Sequence, residues 1–109
     1  NVIIKSNFNK PIILSEFGAG AKQGFHATEK DIWSEQLQQA VYQSQFELMK
    51  NMPDLVGMSP WVLKDFRSPY RLNDRFQDYW NRKGLVSETG EKKLAFYDLA
   101  NHYKKMKAK

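Results

Sequence analysis

The decisive stretch of the sequence is PIILSEFGAG, residues 11–20. Its apolar, β-branched run has the length of a buried strand, and the glycines that follow it favour a loop. Glu16 stands where that strand is expected to end. A carboxylate at a strand end is either held in a salt bridge or used in chemistry, because leaving it buried without a partner is costly. The pattern of residues alone leaves both interpretations open.

A second apolar run, LVGMSPWVL at residues 55–63, also has strand length. Between the two runs, Thr28 with Asp31 three residues later predicts the start of a helix, and Pro53 predicts its end. One apolar face of this helix is predicted to carry Trp33, Leu37, Ala40, Val41, Ser44 and Leu48.

The second run leads into a long polar and aromatic segment, residues 64–81, which we interpret as a loop. A last helix is expected to follow, with Phe96, Leu99, Ala100, Tyr103 and Met106 on one face. The order strand, helix, strand, helix describes two βα units and predicts the α/β class with parallel strands. Two parallel strands leave unpaired edges, and a complete eight-stranded barrel needs about 250 residues. We therefore expect either that copies of these 109 residues associate or that they are part of a larger barrel.

The composition is that of one globular domain, with 41% apolar and 27% charged residues. The absence of cysteine excludes disulfides and thiolate metal sites, and no apolar run has the length of a membrane span or a signal peptide. The net charge is +5. We attribute the closing Lys104, Lys105, Lys107 and Lys109 to the end of a helix, where cations suit the helix dipole, and expect neither a nucleic-acid nor a membrane partner.

Three further residues are candidates for ligand binding. Trp61, in the second apolar run, is suited either to stacking on a sugar ring or to a place in the core. Asn81 and Lys83 supply an amide and an ammonium in one loop, which suits a carboxylate ligand, although the tetrapeptide NRKG alone favours a solvated turn.

The two histidines do not indicate a metal site. His26 is expected near the loop after Glu16 and His102 on a helix surface, and neither has a partner at metal-binding spacing. No phosphate-binding loop occurs, so no cofactor is expected.

Taken together, these stretches resemble the catalytic barrel of glycoside hydrolase family 2. PIILSEFGA at residues 11–19 resembles the strand that carries the family's nucleophile, and SPWVLKDFR at residues 59–67 resembles the strand that follows it. GFH, NRKG and KKLAFY, at residues 24–26, 81–84 and 92–97, resemble further family motifs. The likeness extends over residues 10–106, and NRKG is similar to the Asn-x-Lys-Gly of the β-glucuronidases.

The resemblance implies that residues 1–109 form the C-terminal portion, the last two βα units, of a TIM (β/α)8 barrel. It implies a retaining β-glycosidase of bacterial origin, acting on a β-glucuronide or else a β-galactoside. The compartment, whether cytoplasm or periplasm, stays unknown. Glu16 would be the catalytic nucleophile, and Trp61, Asn81 and Lys83 would bind the carbohydrate substrate. The roles of Arg71 and Arg75 stay open.

One family residue is missing from this sequence. The family's general acid/base is a glutamate that follows an asparagine, and no Asn-Glu pair occurs here. We therefore expect the chain alone to be inactive and to need the remainder of the barrel. The alternative is a non-catalytic structural unit that associates with copies of itself.

Overall fold

The computed structural model describes residues 9–108. In chain order the elements are β1 (Ile12–Leu14), α1 (Glu35–Met49), β2 (Leu55–Met58), β3 (Phe66–Arg67), β4 (Trp80–Asn81) and α2 (Leu94–Lys107). The predicted α/β order is confirmed, and each apolar run forms a strand that ends earlier than the run itself. Lys109 lies outside the described residues.

The two principal strands form a parallel pair. Ile12 lies opposite Leu55, and Leu14 lies opposite Met58. These four side chains pack against the helices. On the other face Ile13 and Val56 are 68% and 66% exposed. Since side chains of a strand alternate between faces, one face of the pair is covered by this chain and the other is apolar and open among the described residues.

The core lies between the parallel pair and the two helices. It consists of Tyr42, Phe46, Met49, Met52, Leu85, Ala95 and Leu99. Rings of Phe17, Tyr42 and Phe46 meet in tilted or edge-on contacts, with centroids 5.6 to 6.5 Å apart. This packing holds α1 and α2 together beneath the sheet and sets the position of the loops at its edge.

The predicted start of α1 is wrong. Thr28 does bond to Asp31 through its hydroxyl, at 2.7 Å, but this contact closes a separate turn before the helix. The N-cap is Ser34, whose hydroxyl oxygen accepts from the backbone N–H of Leu37 at 3.0 Å. Trp33 has a φ of +75° and so cannot belong to the helix.

The predicted apolar face of α1 is also wrong. The buried residues are Glu35, Gln38, Tyr42, Phe46 and Met49. Leu48, which was expected on the buried face, is 53% exposed. The inner face is partly polar because it meets backbone carbonyls of the loops, as in the bonds from Gln38 Nε2 to the carbonyls of Ala19 and Gly84. A hydrophobic pattern alone therefore selected the wrong face.

The last helix agrees better with its prediction. Leu99 is buried and Phe96 packs against the core as expected, whereas Tyr103 and Met106 are 42% and 48% exposed. The expectation for His102 is wrong, because its ring stacks on Phe46 with centroids 4.1 Å apart. His102 follows Leu99 by three residues and so faces α1 with it. The basic residues of the last turn are Lys104, Lys105 and Lys107, where the sequence placed them.

Residues 64–81 are not simply a loop. They contain β3 and end with β4, and these two strands pair antiparallel, with Phe66 opposite Asn81 and Arg67 opposite Trp80. The guanidinium of Arg67 lies 4.8 Å from the centroid of the Trp80 ring, which adds a cation–π contact to this short ladder. The pairing was missed because each strand has only two residues, too few for a periodic pattern. No helix of the described residues is long and apolar enough to cross a bilayer.

Candidate carbohydrate site at the strand ends

Hydrogen bonds between backbones align three chain segments beyond the carboxyl ends of β1 and β2. The N–H of Trp61 donates to the carbonyl of Phe17 at 2.9 Å. The N–H of Val62 donates to the carbonyl of Lys83 at 3.1 Å, and Leu85 returns a bond to Val62 at 3.0 Å. The segments that follow Glu16, Trp61 and Lys83 are thus held side by side, although they are distant in sequence.

These segments border an open cavity of about 310 Å³. It is lined by Glu16, Phe17, Gly18, Gln45, Trp61 and Lys83. Three of the four predicted site residues, Glu16, Trp61 and Lys83, therefore share one cavity. The cavity thus combines a carboxyl group, an ammonium group and an aromatic ring.

The tryptophan lies beyond the strand rather than within it. β2 ends at Met58, and the Trp61 side chain is 40% exposed at the cavity, in edge-on contact with Phe66 at 6.0 Å. The Trp61–Val62 peptide bond is cis. Trp61 is thus a wall of the cavity and not a core residue, whereas its stacking on a sugar ring stays a prediction.

Asn81 lies away from the cavity that Glu16, Trp61 and Lys83 share. Its side chain is 5% exposed and does not belong to the cavity lining. Its Oδ1 accepts from the backbone N–H of Lys83 at 3.0 Å. Asn81 therefore shapes the turn that presents Lys83, and the structure brings the two together through this bond.

The loop after Glu16 is anchored by a buried carboxylate. Glu35, 2% exposed, accepts from the N–H of Gly24 at 2.7 Å and from the N–H of Leu94 at 2.8 Å. His26 Nε2 lies 3.3 Å from the same carboxylate. His26 thus belongs to the loop after Glu16, as expected, and contacts a structural carboxylate. No group of three or more His, Asp or Glu side chains within residues 9–108 is arranged to hold a metal ion.

No protein-family model matches the chain. A β-glucuronidase from Streptococcus agalactiae is 31% identical over 85 residues, which is 78% of this chain and 14% of that protein. A β-D-glucuronidase from Dictyoglomus thermophilum has a similar structure, with a TM-score of 0.80 and 28% identity over 92% of this chain and 17% of the other. The family-2 β-galacturonidase of Eisenbergiella tayi, bound to galacturonate, has a TM-score of 0.78 and 27% identity, covering 88% of this chain and 17% of that one.

The chain is related to the β-glucuronidases of glycoside hydrolase family 2. It spans about one seventh of the length of the curated relatives that it matches, 14% in the first case. The relatives are glycosidases, so the chain is similar to part of a carbohydrate-cleaving hydrolase.

Behind the cavity of this β-glucuronidase relative lies a network of buried charges that the sequence did not reveal. Asp65 accepts from Lys93 Nζ at 2.8 Å and from Arg82 Nη1 at 3.3 Å, and none of the three side chains is more than 8% exposed. Lys93 also donates to the carbonyls of Ala21 and Arg82, and Arg82 contacts Glu88. Because Arg82 stands between Asn81 and Lys83, the network fixes the loop that carries the predicted carboxylate-binding lysine.

The charges of this network depend on one another. Burial raises the pKa of the Asp65 carboxyl, while the hydrogen bond and charge of Lys93 oppose the rise. Burial likewise lowers the pKa of the Lys93 ammonium, and its bond to Asp65 opposes the fall. Burial also disfavours the charged form of Glu88, but its backbone hydrogen bond and the charge of Arg82 together hold its pKa below the ordinary value. Removing one partner would leave a buried charge uncompensated.

The network gave almost no local signal in the sequence. Lys93 follows Lys92 directly, and only Lys92 is exposed. Nothing in the spacing of two adjacent lysines tells which one reaches a carboxylate 28 residues away.

Proposed function

We propose that this chain is the C-terminal part of the (β/α)8 barrel of a retaining β-glucuronidase. The order of the parallel strands and helices supports a barrel, as does the exposed apolar face with Ile13 and Val56, which would point into a barrel interior. The cavity lies at the carboxyl ends of the strands, where barrel enzymes have their active sites. The observation that carries the proposal is the meeting of Glu16, Trp61 and Lys83 in that one cavity.

Glu16 is the proposed nucleophile. Its carboxylate would attack C1 of the sugar, forming a glycosyl-enzyme ester as the bond from C1 to the leaving oxygen breaks. A second carboxyl group about 5–5.5 Å away would give its proton to that oxygen and then take a proton from the water that hydrolyses the ester. The rest of the barrel would have to supply that second group, so we expect no hydrolysis by the 109 residues alone.

Lys83 is the proposed recognition group for the substrate carboxylate. Its ammonium would pair with the charge at C6, with Asn81 holding the turn behind it through Oδ1. Trp61 would present its ring to the apolar face of the sugar. A neutral 6-hydroxyl cannot form an ion pair with the ammonium, so the cavity would favour uronides over the galactosides that the sequence also allowed.

A β-galacturonide is the second candidate substrate. The similar Eisenbergiella tayi enzyme is a β-galacturonidase bound to galacturonate. Glucuronides and galacturonides differ at the C4 hydroxyl but share the carboxylate, so the proposed pairing with Lys83 would be the same for both. The assays therefore include both.

The first test is the substrate preference of the protein expressed from its complete coding sequence, assayed with aryl glucuronide, galacturonide and galactoside. Lys83→Ala should lower kcat/KM for the uronides by about 30-fold, the equivalent of ~2 kcal/mol, and leave galactoside turnover unchanged. Lys10→Ala is the matched control, since Lys10 is exposed at the opposite end of β1. A preference for galactoside that Lys83→Ala does not alter would contradict the uronate assignment.

The second test locates the nucleophile. A 2-fluoro glycoside that traps the covalent intermediate should label the peptide that contains Glu16, as determined by mass spectrometry after proteolysis. Glu16→Gln should abolish both labelling and turnover. A label on any other residue would remove Glu16 from this role.

A further inference from the structure

A second cavity, of about 320 Å³, shares with the first cavity only the loop after Glu16. It is lined by Lys22, Gln23, Gly24, Phe25, Arg75 and Phe76. The first four residues belong to the loop after Glu16, and the last two belong to the connection between β3 and β4. The two cavities have no lining residue in common. Neither the resemblance nor the comparisons assign a role to the second cavity.

An arginine is held in this cavity by aromatic rings. The guanidinium of Arg75 lies 4.8 Å from the centroid of Phe76 and 5.7 Å from that of Phe25. The centroids of the two phenylalanine rings are 5.1 Å apart, and Trp33 stacks on Phe76 at an interplanar angle of 20°. Stacking occupies the face of a guanidinium and leaves its N–H groups, which point outward in the plane, able to donate.

A second cation, the ammonium of Lys22, is anchored to the backbone of Arg75. Lys22 Nζ donates to the backbone carbonyl of Arg75 at 3.0 Å. Within residues 9–108, neither Lys22 nor Arg75 has a carboxylate at ion-pair distance, and the Arg75 side chain makes no hydrogen bond. The cavity thus holds two positioned cations whose charges this part of the chain does not neutralise.

We propose that this cavity is a second carbohydrate subsite, which binds an acidic sugar residue of a longer substrate. Arg75 and Lys22 would pair with the carboxylate of the sugar, and the half-buried rings of Phe25 and Phe76 would contact its apolar face. Gly24 leaves room for the sugar ring, because a Cβ added at residue 24 would meet no atom within 4 Å. The inference takes from the proposed function only that the ligand is an acidic carbohydrate, since binding at this cavity needs no cleavage at Glu16.

The test is a calorimetric titration of the complete protein carrying Glu16→Gln, so that the ligand is not consumed. The probes are a short oligosaccharide of uronate residues, the same oligosaccharide with its carboxyl groups reduced to alcohols, and an aryl carboxylate. The uronate oligosaccharide should bind, and Arg75→Gln or Lys22→Gln should each weaken its binding about tenfold at low salt. The reduced oligosaccharide should bind at least tenfold more weakly. Arg67→Gln, which removes another arginine stacked on an aromatic ring outside this cavity, should leave the affinity unchanged.

Three results would overturn the subsite. The first is equal binding of the acidic and reduced oligosaccharides. The second is an affinity that neither Arg75→Gln nor Lys22→Gln alters while circular dichroism shows both variants folded. The third is binding of the aryl carboxylate without binding of the oligosaccharide, which would make the cavity a site for an aromatic acid. The aryl glucuronide assay tests the first cavity, and the calorimetric titration of the Arg75 and Lys22 variants tests the second. A failure of the uronidase proposal can therefore be told apart from a failure of the subsite proposal.

Discussion

At the scale of single residues, the site depends on which charged groups are exposed and which are buried. Glu16 and Lys83 reach the cavity, whereas Asp65, Arg82 and Lys93 are enclosed behind it. Exposed groups are available to a ligand, and the buried ones are satisfied by each other and by backbone carbonyls. Removal of an exposed charge is therefore expected to affect ligand binding, whereas removal of a buried charge is expected to affect the free energy of unfolding.

Lys93 and Lys92 provide a matched pair for that difference. Lys93→Met would leave the buried Asp65 carboxylate with the Arg82 guanidinium as its one charged partner, beside the N–H of Gly84, and should lower the free energy of unfolding by about 3–5 kcal/mol. Lys92 is exposed, with its ammonium 5.0 Å from the centroid of Phe96, so Lys92→Met should change stability by about 0.5 kcal/mol or less. Urea unfolding of both variants is the measurement. Similar losses in the two would show that the Lys93 ion pair does not exist in solution.

Tyr42 gives a prediction for alkaline pH. The side chain is fully buried, its hydroxyl has no hydrogen-bond partner among the described residues, and burial raises the pKa of Tyr42 to about 12. Below the ordinary pKa of 10.0 the hydroxyl is neutral in both states. Above it the unfolded chain ionises first, so the free energy of unfolding should fall by about 2–3 kcal/mol as the pH approaches the folded-state value.

The control for this prediction is removal of the hydroxyl. Tyr42→Phe should make the alkaline loss smaller by that amount and leave stability at neutral pH unchanged or slightly higher, because no hydrogen bond is lost. Tyr70→Phe, at a residue 85% exposed, should keep the full alkaline loss. The measurement is the free energy of unfolding of each variant at several alkaline pH values. An identical dependence on pH for wild type and Tyr42→Phe would refute the buried state of this hydroxyl.

At the scale of elements, α1 shows where local sequence rules stop being sufficient. The predicted capping residues, Thr28 with Asp31, precede the actual N-cap, Ser34, by one turn of the chain. The helix uses Ser34, because Trp33 adopts a positive φ that lets its ring stack on Phe76. A contact between distant segments thus decided which of two local signals begins the helix.

Substitution at the cap tests this start. Ser34→Ala removes the bond to the N–H of Leu37 and should lower the free energy of unfolding by about 1 kcal/mol. Ser44→Ala, at an exposed residue in the middle of the same helix, should have no cost, because alanine has the higher helix propensity. Thermal unfolding followed by circular dichroism gives both values. A larger loss for Thr28→Ala than for Ser34→Ala would return the helix start to the predicted residue.

At the scale of the whole molecule, the open face of the parallel pair is the main feature. On that face Ile13 and Val56 are 68% and 66% exposed. Such side chains are normally covered in parallel sheets, by the rest of a barrel or by another chain. The same face thus supports the barrel proposal and bears on the self-association that the sequence analysis left as an alternative.

The 109-residue chain expressed alone should self-associate. Size-exclusion chromatography with light scattering should show dimers or larger species, and the double variant Ile13→Thr, Val56→Thr should shift them toward monomer while keeping β-branched side chains. Ile32→Thr is the control, since Ile32 is 69% exposed but lies in a loop. A folded wild-type monomer would contradict the argument that this face needs a cover.

The amino-acid sequence by itself determined the two parallel strand–helix units, the carboxylate after the first strand, and the relationship to the β-glucuronidases. These properties follow from residues close together in the chain, where period, length and motif are sufficient. Only the tertiary structure decided that Ser34 begins α1, that Lys93 rather than Lys92 is buried, and that Arg75 meets Phe25 across a second cavity. Each of these depends on a partner far away in sequence, because the free energy of a buried charge or a stacked ring is set by what folding brings against it.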